Sequence, residues 1–144
     1  MEADLRTGND IALSSLLELY TAVGWAAYTR DNHKEDLEKA VANSSFVVTA
    51  WDGELLVGLA RALSDDVAIC YVQDILVHPD YQRRGIGMTL MHQCLARYRH
   101  VRMKMLLTDD EDRQRLFYEK MGFQHIRNLT STTLSTFVQI DGVD

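Results

Sequence analysis

The chain has 144 residues, 47% of them hydrophobic and 25% charged, with a net charge of −6; these are the proportions of one ordinary globular domain spanning 1–144. The acidic balance argues against a nucleic-acid partner, which is held by a basic surface. No apolar run approaches the ~18 residues of a membrane helix, and Met1–Arg6 lacks the apolar core of a signal peptide, so a cytoplasmic protein with no membrane partner is expected.

In chain order, residues 2–7 are expected as a short first strand. Leu13, Leu16, Leu17, Tyr20 and Val23 recur at helical spacing, with Asn9 or Asp10 as the N-cap and Gly24 as the stop. A second helix is read from Asp31 to Ala42, capped by Asp31 or Asn32. The period then changes. Ser45–Trp51 is rich in β-branched and aromatic residues, Asp52-Gly53 is a hairpin turn, and Leu55–Leu63 returns as the partner strand. Ser64-Asp65-Asp66 turns again into a third strand, Val67–Val77, which completes an antiparallel meander.

Residues 85–98 read as an amphipathic helix, with Ile86, Leu90, Met91, Cys94, Leu95 and Tyr98 on one face. Val101–Leu107 is expected as a buried strand, parallel to Val67–Val77 through the helical crossover. Glu111–Met121 reads as a helix ended by Gly122, with Leu116, Phe117 and Met121 on its apolar side. Phe123–Arg127 and Thr133–Ile140 are the last two strand candidates. The fold class is therefore α+β: a mixed, mostly antiparallel sheet with helices on both faces. Cys70 and Cys94 have no Cys-x-x-Cys partner and apolar neighbours, so they read as buried free thiols. The five histidines show no ligand spacing, and no metal is expected.

The stretch Val72–Leu95 bears the chemistry. A strand ends at Val77-His78-Pro79, and a polar loop, Asp80 to Gly87, leads directly into the amphipathic helix. Glycines at a strand-to-helix turn admit close backbone approach to a ligand. The first turn of the helix offers unpaired N–H groups and the positive end of its dipole, a site for phosphate or pyrophosphate. Arg83 and Arg84 add charge and forked donors. Gly85-x-Gly87 alone is not diagnostic. A dinucleotide fingerprint would need Gly where Leu90 stands, and the Gly-Lys-Ser/Thr of a nucleotide P-loop is absent. A plain tight turn with solvated arginines accounts for the spacing equally well.

Gln82-Arg83-Arg84-Gly85-Ile86-Gly87, preceded by Asp74-Ile75-Leu76-Val77-His78-Pro79, resembles the acetyl-CoA-binding signature of the GNAT N-acetyltransferase superfamily. Leu116-Phe117-Tyr118-Glu119-Lys120-Met121-Gly122-Phe123 is similar to the Leu-Tyr-Glu-Lys-Leu-Gly-Phe helix end of the same family. The order and separation of the two marks also match, and the resemblance covers roughly residues 10–127. Leu19-Tyr20, Val23-Gly24-Trp25 and Tyr28 look like one subgroup of small bacterial-type members.

The resemblance implies acetyl transfer from acetyl-CoA to a primary amine of a small molecule or peptide. It implies that the main chain of Ile75, Leu76 and Val77 binds the pantetheine arm as an added strand would. The loop and helix start, Gln82, Arg83, Arg84, Gly85, Ile86, Gly87 and Met88, would hold the pyrophosphate. An N–H at Leu76 or Val77 would orient the thioester carbonyl, and Tyr118 would give a proton to the departing thiolate. Trp25, Tyr28, Tyr71 and Gln73, with Tyr20, are candidates to line the acceptor site. No Glu or His stands at Tyr71 or Gln73 to serve as general base. Strand alternation turns Asp74 away from Tyr71 unless a bulge reverses the parity. A non-catalytic acyl-CoA-binding module fits the same residues, and the final strand is expected to close the sheet or exchange in a homodimer.

Overall fold

The structure is a computed structural model describing residues 3–25 and 33–143. It divides into two compact units, Met1–Leu107 and Thr108–Asp144. The first unit is a five-stranded sheet with the strands in sequence order. Its strands are β1 (Asp4–Thr7), β2 (Phe46–Asp52), β3 (Leu55–Ser64), β4 (Ile69–Val77) and β5 (Met103–Met105), antiparallel except for the parallel β4–β5 pair. Helices α1 (Leu13–Ala22) and α2 (Lys34–Ala42) cover one face, where Leu16, Leu19, Tyr20, Leu37 and Val41 pack with Val47, Leu56, Leu59 and Leu76. Helix α3 (Ile86–Arg97) packs on the other face. The second unit contains α4 (Asp112–Lys120) and a 3₁₀ turn at Ile126–Asn128.

Local chemistry explains most boundaries. Helix α1 ends in a Schellman arrangement: Gly24 has φ +81°, its N–H bonds to Thr21 O, and the Trp25 N–H reaches Tyr20 O. At the other end of α1 the cap is Ala12, with no side-chain bond. Neither Asn9 nor Asp10 is the cap; the Asn9 amide donates to Ala42 O at the end of α2. The candidate caps Asp31 and Asn32 lie outside the described residues. The hairpin turn falls one residue later than expected, with Asp52 paired to Leu55 and Gly53 at φ +60°.

Four strand expectations are corrected. Val67 and Ala68 do not start β4, because the Asp65 carboxylate accepts the N–H groups of Val67, Ala68 and Ile69 and curls them into a loop. These bonds also hold the Asp65 carboxyl below its ordinary value. The strand expected over Val101–Leu107 contracts to Met103–Met105, an edge strand with both methionines exposed. Phe123–Arg127 and Thr133–Ile140 form no strand; the 3₁₀ turn Ile126–Asn128 overlaps the end of the former, and the latter has no ladder partner among the described residues. Leu116, expected on the apolar side of α4, is 62% exposed.

Candidate functional site

β4 and β5 run together only from Ile69↔Met103 to Tyr71↔Met105. Beyond that point, on the side away from β3, the β4 backbone from Val72 to Val77 has no strand partner among the described residues. An unpaired strand edge is a template for an extended ligand. The main chain of Ile75, Leu76 and Val77 forms its last part.

The loop that follows is pinned at several points. The His78 N–H bonds to Val57 O at 2.7 Å. Pro79–Tyr81 makes a 3₁₀ turn whose Asp80 N–H is accepted by His78 Nδ1. Tyr81 Oη donates to Asp52 Oδ2, tying the loop to the β2–β3 hairpin. The Gln82 amide donates to Val77 O at 3.1 Å, so Gln82 fastens the loop to the end of β4. Arg84 lies over the Tyr81 ring and donates to Asp80 O. Arg83 and Gly85 both occupy the left-handed region, at φ +65° and +81°, which is uncommon for a non-glycine residue.

Gly85 is the N-cap of α3. It has no side chain to cap with, and its carbonyl takes the first helical bond from the Thr89 N–H. The N–H groups of Ile86, Gly87 and Met88 therefore precede the i→i−4 ladder. A Cβ built at Gly85 would meet nothing within 4 Å, so this turn borders open space. Exposed Arg83 and Arg84 flank it. Ile86 and Leu90 turn inward, at 8% and 0% exposure. They pack against Gly58 of β3, where an added Cβ would lie 3.0 Å from each. Gly58 thus lets α3 lie close to the sheet. A glycine inside a strand pattern is the sequence signal that marked it.

The opposite face corrects the expected strand parity. Arg61 pairs with Asp74 but Ala62 with Val72, so Gln73 is an extra residue in β4. Arg61 and Leu63 project from one face of β3, and their partners are Asp74 and Tyr71. Simple alternation would separate Tyr71 from Asp74; the bulge puts both on the α1/α2 face. Asp74 is not free to act there. Its Oδ2 accepts from Arg61 Nε at 2.6 Å and from Tyr20 Oη at 2.9 Å, all three side chains being buried. Arg61 also donates to Ser44 Oγ and Ala40 O. A charged residue inside the apolar run Leu55–Leu63 was the available sign of a buried partner.

Among the acceptor-site candidates, Tyr20 is fully buried and packs edge-on to half-buried Trp25, with centroids 5.7 Å apart. Burial and the neighbouring Asp74 push the Tyr20 phenol far above its ordinary value. Tyr71 is half-buried and Gln73 exposed. Burial raises the Tyr71 phenol, and a hydrogen bond with the Leu107 backbone opposes it. Tyr28 lies outside the described residues. In the second unit, Tyr118 sits on α4 between the rings of Phe117 and Phe123, with its phenol raised by burial against a hydrogen bond with Thr108. The phenol is therefore protonated at neutral pH and can donate.

The acetyltransferase (GNAT) family model matches residues 11–123. The chain is 31% identical over 126 residues to the uncharacterized N-acetyltransferase ycf52 of Pyropia yezoensis, covering 83% of this chain and 68% of that one. Among solved structures, a GNAT family acetyltransferase from Streptococcus pneumoniae TIGR4 is similar at 31% identity with a TM-score of 0.75, covering 93% of this chain and 98% of that one. The fold is also that of the aminoglycoside N-acetyltransferase AAC(6')-Iy, solved in complex with CoA, at 19% identity, a TM-score of 0.68, and 96% and 95% coverage.

Proposed function

We propose, from the premise that the chain belongs to the acetyltransferase (GNAT) family and is an acyltransferase, that it moves the acetyl group of acetyl-CoA directly to a primary amine of a small molecule or peptide. The observation that supports this most is the unpaired β4 edge from Val72 to Val77 leading into an uncapped helix start. An extended arm with a diphosphate at one end needs both features. The open space at Gly85 and the flanking Arg83 and Arg84 fit the diphosphate.

Acetyl-CoA, when bound, supplies an activated acyl group and a thiolate leaving group. The N–H groups of Ile86, Gly87 and Met88, with Gly85, hold the diphosphate. Gln82 keeps the loop on the end of β4. A backbone N–H at Leu76 or Val77 donates to the thioester oxygen as negative charge grows on it. The amine nitrogen forms the new C–N bond as the C–S bond breaks. Tyr118 donates its phenolic proton to the sulfur, and the ammonium proton leaves to water. Asp74 is not the base, because Arg61 and Tyr20 occupy it; the enzyme takes up an amine that is already neutral or loses its proton through water. Trp25, Tyr71 and Gln73 line the acceptor site. The reading extends to one domain over 1–144, a cytoplasmic setting and a homodimer.

Calorimetric titration with CoA, ATP and NAD tests the cofactor, and thiol release over a panel of amines, amino acids and peptides tests the reaction. The reading requires CoA to bind most tightly and at least one amine to raise thiol release above hydrolysis. Tighter binding of ATP would overturn it.

A further inference from the structure

The bulge at Gln73 has a chemical consequence for the α1/α2 face. Leu63, Ile69 and Tyr71 share that face, and the parallel ladder adds Met103 opposite Ile69 and Met105 opposite Tyr71. The α1/α2 core covers this face of β2, β3 and the C-terminal half of β4, but not this end. Leu63, Ile69, Met103 and Met105 are 42%, 45%, 38% and 41% exposed. The patch ends where β4 and β5 part, at Tyr71↔Met105, and the unpaired edge proposed for the thioester arm begins one residue later. Among the described residues of β3, β4 and β5, the carboxylate is Asp74, which Arg61 already neutralises and Tyr20 hydrogen-bonds.

Resting on the reading above, we infer that the acceptor is a monoamine with an apolar body, whose nitrogen lies where β4 and β5 part and whose carbon skeleton runs back over Leu63, Ile69, Met103 and Met105. Two thioethers and two branched aliphatic side chains reward apolar surface and adapt to its shape. They provide no partner for several ammonium groups, and the carboxylates of the adjoining β3–β4 loop are engaged, Asp65 by the Val67–Ile69 backbone and Asp66 by Arg97 and His100, so a polycationic aminosugar is disfavoured. The occupant is a substrate because the patch is continuous with the point of acyl transfer.

The test is the acetylation of straight-chain alkylamines from propylamine to octylamine, followed by thiol release, beside a polycationic aminosugar. The nitrogen basicity is nearly constant along the series, so chain length isolates the apolar contribution. We expect kcat/KM to rise roughly two- to fourfold per methylene and the aminosugar to be the poorer substrate. Met105→Ser and Leu63→Ser, both at partly exposed positions, flatten that dependence while CoA affinity is kept. CoA binding with no dependence on chain length, no acetylation of any alkylamine, or a preference for the aminosugar would overturn this inference alone. Loss of CoA binding in the wild-type protein would overturn the parent reading. A wild-type dimer by light scattering that either variant splits into monomers would show that a second copy covers the patch, and would also overturn the inference.

Discussion

Arg61 Nε and Asp74 Oδ2 lie 2.6 Å apart with their side chains 5% and 3% exposed. This buried pair joins β3 to β4 at the bulge, and the Tyr20 hydroxyl extends it to α1. Removing one member of a buried pair strands the other charge. Asp74→Asn is therefore expected to lower unfolding free energy by about 3–5 kcal/mol. Tyr20→Phe, which removes one bond to a charged acceptor, is expected to cost about 1.5–3 kcal/mol. Urea unfolding followed by circular dichroism measures both. An Asp74→Asn midpoint equal to the wild type would contradict the pair's structural role.

Gly58→Ala forces a methyl group against Ile86 Cγ2 and Leu90 Cδ1. Overpacking of this kind costs about 1–3 kcal/mol. Because the strain falls on the first two turns of α3, it should also weaken the cofactor site. A raised KM for acetyl-CoA accompanying the lost stability is the expected pattern; a stability loss with unchanged KM would separate the helix start from the cofactor.

Cys94 is 1% exposed and Cys70 2% exposed. Burial pushes the Cys94 thiol up to about 12 from an ordinary value of 9.0. The unfolded chain begins to lose this proton near 9, whereas the folded protein keeps it until about 12. Stability contributed by the protonated thiol is thus constant below pH 9 and declines as pH rises from 9 towards 12. The urea midpoint of the wild type should fall more steeply over that window than that of Cys94→Ala. In the folded protein at pH 8, both thiols should resist an aromatic disulfide reagent and react only on unfolding. Rapid labelling of the native protein would contradict this.

Tyr118→Phe removes the proposed proton donor and keeps the ring between Phe117 and Phe123. The expected result is a fall in kcat of about 10²–10⁴-fold with little change in KM for acetyl-CoA. The raised phenol places the alkaline limb of the wild-type rate profile above the range of an ordinary tyrosine, and the variant should lose that limb. An unchanged kcat would assign Tyr118 to packing alone.

What the sequence made legible was local. The β2–β3–β4 meander follows from β-branched runs punctuated by Asp52-Gly53 and Ser64-Asp65-Asp66. The end of α1 follows from Gly24, and the α3 start from Gly85. Register was hidden, because the extra residue at Gln73 exists only relative to β3. So was the fate of Asp74, whose partners stand 13 and 54 residues away. Thr133–Ile140 is as rich in β-branched and apolar residues as a strand, but composition cannot supply a neighbour to pair with. Val67 and Ala68 are apolar enough for a strand, yet the Asp65 carboxylate claims their N–H groups first.

The central claim is that main-chain amides at the start of α3 grip the diphosphate of coenzyme A. Amide chemical shifts of the ¹⁵N-labelled protein, followed during a titration with CoA, test it most directly. The account predicts that the Gly85, Ile86, Gly87 and Met88 signals move together and saturate at the calorimetric affinity, and that Gly85→Asp abolishes both responses. Saturable CoA binding that leaves these four amides unmoved would contradict it.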